Sequence, residues 1–225
     1  MLNGIYDSNR RRCKNNEQIF NQFFTSYPSN FPKKELKKGE HLVLEDETFK
    51  GVFFIKQGIA IKEVLLKSGK TQGIRLTTKN EFVGVLASVN VETYPYNVRC
   101  LTDMECYKLS EEMLHQILMI YPMFLYEALQ ADSYTNYHKM KFSTGKVKER
   151  IIYNIVELAV CFGGTNAQNI MLPKVITQEI LASLSSTTRE YVAKILASLK
   201  SHSILDTKQR HIIVHDLHKL QALIY

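Results

Sequence analysis

No apolar run in this 225-residue chain approaches the roughly 18–20 residues needed to cross a bilayer, so no membrane partner is expected. The opening residues, Met1-Leu2-Asn3-Gly4-Ile5-Tyr6-Asp7, lack the apolar core of an export signal. Cysteine is scarce and scattered, at Cys13, Cys100, Cys106 and Cys161, with no CxxC pair and no Cys/His zinc spacing. That pattern excludes a disulfide framework and leaves no metal or cofactor to predict. A reduced, cytoplasmic protein is the expectation. Internal repeats and low-complexity stretches are absent as well. What is present is ordinary globular material: 45% apolar and 23% charged residues exclude wholesale disorder, and the length allows one large or two small domains.

The net charge of +7 permits nucleic acid as a partner without establishing it. Part of it sits in Arg10-Arg11-Arg12-Cys13-Lys14, which reads as a solvated arm. From residue 143 onward, ten Lys and Arg stand against six Asp and Glu, so the C-terminal part is modestly basic.

The first half has the pattern of strands. Between Leu36 and Leu109, short apolar runs such as Val52–Lys56, Ile59–Leu66 and Val98–Leu101 alternate with turn signals such as Lys67-Ser68-Gly69-Lys70. Turns every 8–12 residues or so point to an antiparallel β-sandwich or roll. A short helix over Asn16–Tyr27 precedes it, with Ile19, Phe20, Phe23 and Phe24 on one face.

The second half is helical. Ser110 caps one helix and Pro122 opens another, which can run to Phe142. Along it Phe124, Ala128, Ala131, Thr135, His138 and Phe142 form a heptad-like stripe, either a dimer seam or a face packed on the β-half. Lys146–Phe162 is amphipathic and Gly163-Gly164 stops it. The predicted divisions are 1–110 for a helix and β-roll, 111–142 for connecting and dimerisation helices, and 143–225 for a last domain. The fold class is therefore α+β.

Within that last domain the run from Thr177 to Leu199 divides into two helices at Ser185-Ser186. The first buries Ile180, Leu181 and Leu184; the second buries Val192, Ile195, Leu196 and Leu199. Thr187-Thr188-Arg189-Glu190 reads as a Thr-x-x-Glu capping box. Facing outward are Arg189, Glu190, Ala193, Lys194 and Ser198. A helix that reads the major groove needs such a face: small residues allow close approach, and Arg, Lys and Glu match guanine and cytosine edges. Two strands around Thr207-Lys208-Gln209-Arg210 make a wing, whose Lys208 and Arg210 can meet phosphate.

These residues resemble the Crp/Fnr family of bacterial transcription regulators. Thr177 to Val192 fits the family's helix-turn-helix without a gap, with Arg189-Glu190 and Val192 the most diagnostic part. Gly39-Glu40, Gly58, Phe82-Val83-Gly84 and Val98-Arg99 fit its β-half. Within the family the chain is most similar to virulence-type regulators of Gram-positive bacteria. The resemblance implies a homodimer with a jelly-roll-like sensor, a long dimerisation helix and a winged helix-turn-helix. Its partners would be double-stranded DNA and RNA polymerase, and it would not be an enzyme. It places Arg189, Glu190 and Lys194 on base-reading positions and Thr188 on the DNA backbone, with Ser186 and Thr187 in the contacting turn. Two departures stand out. The family's usual arginine is Lys194 here, a point charge in place of a fork. Its usual turn glycine is Ser186, which tolerates a left-handed backbone less well. Glu190 can serve instead as a capping carboxylate, Thr188 as a capping hydroxyl, Arg189 can pair with Glu190 or with a phosphate, and Lys208 and Arg210 can be plain solvated turn residues.

Relatives that bind cyclic AMP carry a Gly-Glu pair after Phe-x and an Arg-Ser some ten residues on. Here Val85 stands for the carboxylate and Tyr94 for the guanidinium. A buried phosphate without its cation is unfavourable, so cyclic AMP is not the expected effector. Val85, Tyr94 and Tyr96 are the candidate lining for another small molecule, with core tyrosines the plainer alternative. The cysteine cluster of oxygen-sensing relatives is missing, and no His-x-His pair supports a cupin-type metal enzyme. Cys13 beside three arginines can have a lowered pKa or be a spare thiol.

Overall fold

The computed structural model describes residues 2–85, 87–90, 92–143, 145–163 and 168–224; the side chains of 2–11, 89–90, 134–135, 138–139 and 142–143 are outside the description. Two compact units result, one over residues 9–135 and one over 136–225 with 1–8. Among the described residues no helix is long and apolar enough to cross a membrane, and no group of three or more His, Cys, Asp or Glu could hold a metal ion.

Helix α1 (Leu2–Ser26), of which residues 9–26 belong to the first unit, leads to β1 (Lys33–Leu36), β2 (His41–Val43), β3 (Val52–Gln57), β4 (Ile59–Leu65), β5 (Thr71–Thr78) and β6 (Phe82–Val83). Helix α2 (Ala87–Asn90), β7 (Asn97–Cys100), β8 (Met104–Leu109), α3 (Glu111–Ile120) and α4 (Met123–Ser143), which belongs to this unit as far as residue 135, follow. The strands form two four-stranded antiparallel sheets, β1-β8-β3-β6 and β2-β7-β4-β5, the expected jelly-roll-like arrangement. Strand alternation divides β3 between two cores. Phe53 and Ile55 join Val83, Tyr94, Val98 and Cys106 in one, while Val52 and Phe54 join the helical side chains Phe20, Phe23, Leu114 and Phe124 in the other. Phe20 stacks on Phe54 with ring centroids 4.0 Å apart.

Two expectations change here, and one open alternative is decided for part of its length. The basic N-terminal stretch is not a loose arm but part of α1, and Arg12 lines a cleft in the β-roll. Cys13 is half-buried, and burial followed by the Glu81 carboxylate pushes its thiol up to about 11, the reverse of an activated cysteine. The stripe on α4 turns inward at its start: Phe124 meets Phe82 edge-on and Ala128 packs beside it, so these residues belong to the β-roll core. Thr135, His138 and Phe142 carry side chains outside the description. The exposed apolar side of this helical pair is instead Met119, Ile120, Met123, Tyr126 and Leu129, with Met119 85% exposed.

The second unit contains α5 (Val147–Gly163), β9 (Ile170–Met171), α6 (Gln178–Leu184), α7 (Arg189–Ser201), β10 (Leu205–Lys208), β11 (His211–Val214) and α8 (Leu217–Ala222). Gly164 lies outside the described residues. Helix α5 buries eight side chains, including Ile151, Ile155 and Ala159, and is more central than an amphipathic reading implies. β10 and β11 form the predicted wing. β9 adds a third strand, too short to signal itself in the sequence.

Candidate nucleic-acid interface

The two helices of the motif are fixed at their starts by threonines. Thr177 Oγ1 accepts from the Ile180 amide at 3.3 Å and Thr188 Oγ1 from the Tyr191 amide at 3.3 Å. The cap of α7 is therefore Thr188 and not Thr187, which moves the capping box out of register. Thr187 lies in the turn, its amide donating to Ala182 O at 3.0 Å. Glu190 becomes the second helical residue. Its carboxylate accepts from its own amide and from the Thr188 hydroxyl, which hold it below the ordinary glutamate range.

Val192, Ile195, Leu196 and Leu199 are buried, as their spacing predicts. Arg189, Glu190, Lys194, Ala197 and Ser198 are exposed. Glu190, Lys194 and Ser198 recur every fourth residue and make one stripe along the helix. Arg189 does not pair with Glu190. Its Nε lies 3.1 Å from Glu179 Oε1 on α6, in a bridge whose arginine is 62% exposed and so within reach of a ligand.

The turn and the wing carry strained backbone. Ser186 is exposed and has φ +51°, the left-handed conformation that its departure from glycine implies. At the wing tip Gln209 and Arg210 have φ +50° and +68° and close a two-residue hairpin. Positive φ at both central positions is the turn geometry that usually calls for Asn-Gly. The strain puts the Arg210 side chain at the exposed tip. Lys208 is not a free turn residue. Its Nζ is 3.4 Å from Asp206 Oδ2, and Lys200 Nζ is 2.7 Å from Asp206 Oδ1. Lys200, the Thr207 amide and Lys208 hold the Asp206 carboxyl down at about 2. Sequence reasoning passed over this bridge between the end of α7 and the wing. It also passed over Arg150 and Asn154, polar residues four apart on a buried helix, which touch the turn from behind.

In the β-roll unit the candidate effector residues part company. Val85 and Tyr96 line a cleft with Arg12, Lys62 and Arg75. Lys62 Nζ lies 4.6 Å from the Tyr96 ring centroid. Tyr94 is a core residue and gives the cleft no surface: it is wholly buried, its hydroxyl donating to Gly51 O at 2.7 Å and accepting from the Lys50 amide at 3.2 Å. Burial pushes that hydroxyl up to about 12. Gly84 makes room for the ring, since a Cβ there would sit 3.2 Å from Tyr94. Beneath the cleft the buried Glu81 carboxylate pairs with the Arg75 guanidinium and accepts from Thr77 Oγ1 at 3.1 Å. Burial opposes its ionisation, but Arg75, Arg12 and Lys62 prevail and hold it below its ordinary value.

Comparison with known proteins gives this arrangement a family. Residues 33–121 match the profile of the cyclic nucleotide-binding domain, and residues 149–223 match that of the Crp-like helix-turn-helix domain. The chain is 20% identical over 221 residues to the anaerobic regulatory protein of Bacillus subtilis (strain 168), covering 94% of this chain and 90% of that protein. It is 22% identical over 196 residues to the transcriptional activator protein FnrA of Stutzerimonas stutzeri, covering 84% and 79%. The solved structure of FixK2 from Bradyrhizobium japonicum shares the fold, with a TM-score of 0.76 at 16% identity over 87% of this chain and 98% of that one. These matches carry the family and not the finer placement among virulence-type regulators. The chain belongs to the Crp/Fnr family of transcription regulators, with a cyclic nucleotide-binding-like β-roll and a DNA-binding helix-turn-helix domain.

Proposed function

We propose that this regulator is a homodimer that reads a near-palindromic operator through two copies of α7, in half-sites about one helical turn, roughly 10 bp, apart. The observation that carries this reading is the exposed face of α7: Arg189, Glu190 and Lys194 stand in its first two turns with small residues beside them. In it Arg189, Glu190 and Lys194 read bases, Thr188 and the Ser186-Thr187 turn meet the backbone, and Lys208 and Arg210 hold phosphate. The exposed Met119, Met123, Tyr126 and Leu129 support a self-association surface along α3 and α4. Residues 1–110 then serve as sensor, 111–142 as connecting and dimerisation helices, and 143–225 as the DNA-binding part. The protein works in the cytoplasm, with RNA polymerase as its downstream partner, and it catalyses nothing.

In this reading the protein either responds to a small molecule other than cyclic AMP or is competent without an effector. Val85 offers no carboxylate to a ribose, and Tyr94 is committed to the core. Selection of bound duplexes from a random library, with purified protein at fixed physiological salt, tests the reading. A two-fold symmetric motif that disappears in Arg189→Ala is the expected result. No motif, with or without cell extract, would point to a regulator-derived module that has lost DNA binding. Sedimentation of wild type against Met123→Glu checks the dimer.

A further inference from the structure

Arg150 lies on α5 and is not part of the DNA-facing set, yet its guanidinium spans two separate stretches of chain. Nε donates to Ser185 O at 2.9 Å and Nη1 to Gly145 O at 3.0 Å, while Nη2 reaches Ser186 O at 3.5 Å. Gly145 belongs to the short link between α4 and α5. Ser185 and Ser186 form the turn from which α7 departs. One helical turn along α5, Asn154 Nδ2 donates to Ser185 Oγ at 2.9 Å and to Arg150 O at 3.0 Å. Ser185 is wholly buried, and Ser186 holds φ +51°. A non-glycine residue keeps that conformation only where its surroundings impose it.

We propose that Arg150 is a positioning residue for DNA reading: it sets the turn that aims α7 and ties that turn to the α4–α5 link, so that the two stretches hold or yield together. The chemistry needs an arginine. A planar guanidinium offers five donors in a fixed fork and can serve three carbonyls at once, whereas a lysine ammonium is a compact charge on a flexible stem. The turn needs the donors because carbonyls at a helix C-terminus have no partner within the helix. Asn154 supports only the Ser185 side. The proposal rests on the reading of α7 as the DNA-contacting helix, but one arm of its test does not involve DNA.

That arm is hydrogen exchange on the full-length protein. In Arg150→Lys, the amides of residues 149–150, which bond Lys146 O, and of 186–187, which bond Ser183 O and Ala182 O, exchange faster together, by about tenfold, while the centres of α5 and α7 keep their protection. In Asn154→Ala only 186–187 respond. The second arm is binding to the duplex recovered by selection and to a scrambled duplex of equal length. Arg150→Lys weakens the selected duplex about tenfold and the scrambled one by less than about threefold, because aim matters for base reading and little for phosphate attraction. Adding Ser186→Gly to Arg150→Lys restores part of the selected binding, since glycine holds the turn unaided. Faster exchange in only one of the two stretches, or equal losses on both duplexes, would overturn the proposal. If Arg150→Lys does not fold, wild-type exchange in rising denaturant decides: both stretches must open with one free energy and one denaturant slope, and two separate openings reject the coupling. Failure to select any duplex bears on the DNA reading alone, and the exchange arm still stands.

Discussion

In the β-roll, Glu81 and Glu63 lie buried against Arg75 and Arg99, and each carboxylate is held by its own arginine. In the winged helix, Arg189, Glu190, Lys194, Lys208 and Arg210 are all exposed. The backbone differs in the same sense. Among the described residues, positive φ in the β-roll falls on Gly39, Gly51, Gly58, Gly69 and Gly84, with only Asp46 and Asn80 besides; in the winged helix it falls on Asn169, Ser186, Ser203, Gln209 and Arg210, none of them glycine. A buried ion pair and a glycine turn close a structure upon itself. An exposed charge held on a strained turn keeps a side chain available at a defined place. The contrast sets carboxylates buried in pairs in the β-roll against side chains exposed at the surface of the winged helix.

The sharpest test of the contrast is Glu81→Gln. It breaks the buried Arg75–Glu81 ion pair, and breaking such a pair costs about 3–5 kcal/mol. Calorimetry is expected to show the β-roll transition fall while the winged-helix transition stays. The pH dependence has a defined sign. Because the folded carboxyl lies below its ordinary value of 4.5, its stabilisation is complete above that value and is lost as pH falls through the lower, folded one. Glu81→Gln removes that part of the acid sensitivity. Next, Arg189→Ala is expected to cost about 1–3 kcal/mol of specific binding and to relax one base position without moving either melting transition. Equal losses on matched and scrambled sites would break the comparison. Arg210→Gly separates stability from binding at one residue. It relieves a left-handed position and stabilises the wing by about 1 kcal/mol, yet lowers the salt slope of DNA binding by about one, as titration at several salt concentrations will show. The smallest effect concerns thiols. At neutral pH an alkylating reagent should label exposed Cys161 well before Cys13, whose thiol is pushed up to about 11.

Much of this was legible in the chain. Turn spacing disclosed an antiparallel roll, and the buried face of α7 follows from Val192, Ile195, Leu196 and Leu199, because a helix returns to the same side every three or four residues. Less legible was the sense of individual residues. Thr187 and Thr188 are chemically alike, and only the backbone geometry selects Thr188 as the cap. Tyr94 and Tyr96 are two apart and equally suited to a pocket, but Tyr94 is buried with its hydroxyl satisfied, while Tyr96 lines the cleft with Lys62.

By itself, the sequence determined the fold class, the helix-turn-helix, the wing and the outward placing of Arg189, Glu190, Lys194 and Ser198 on α7, though not that Ala197 is exposed and Ala193 half-buried, because periodicity, caps and turn chemistry are local properties. Only the tertiary structure decided that Phe124 and Ala128 face the β-roll core, that Arg12 and Cys13 lie on a packed helix, and that Arg150 clasps Gly145, Ser185 and Ser186. Apart from the local contact of Arg150 with Gly145, those facts depend on groups 35 residues or more apart in sequence, or on which of two possible partners a face meets. Such choices are made by packing and by the need to satisfy buried polar groups, and neither leaves a periodic mark in the chain.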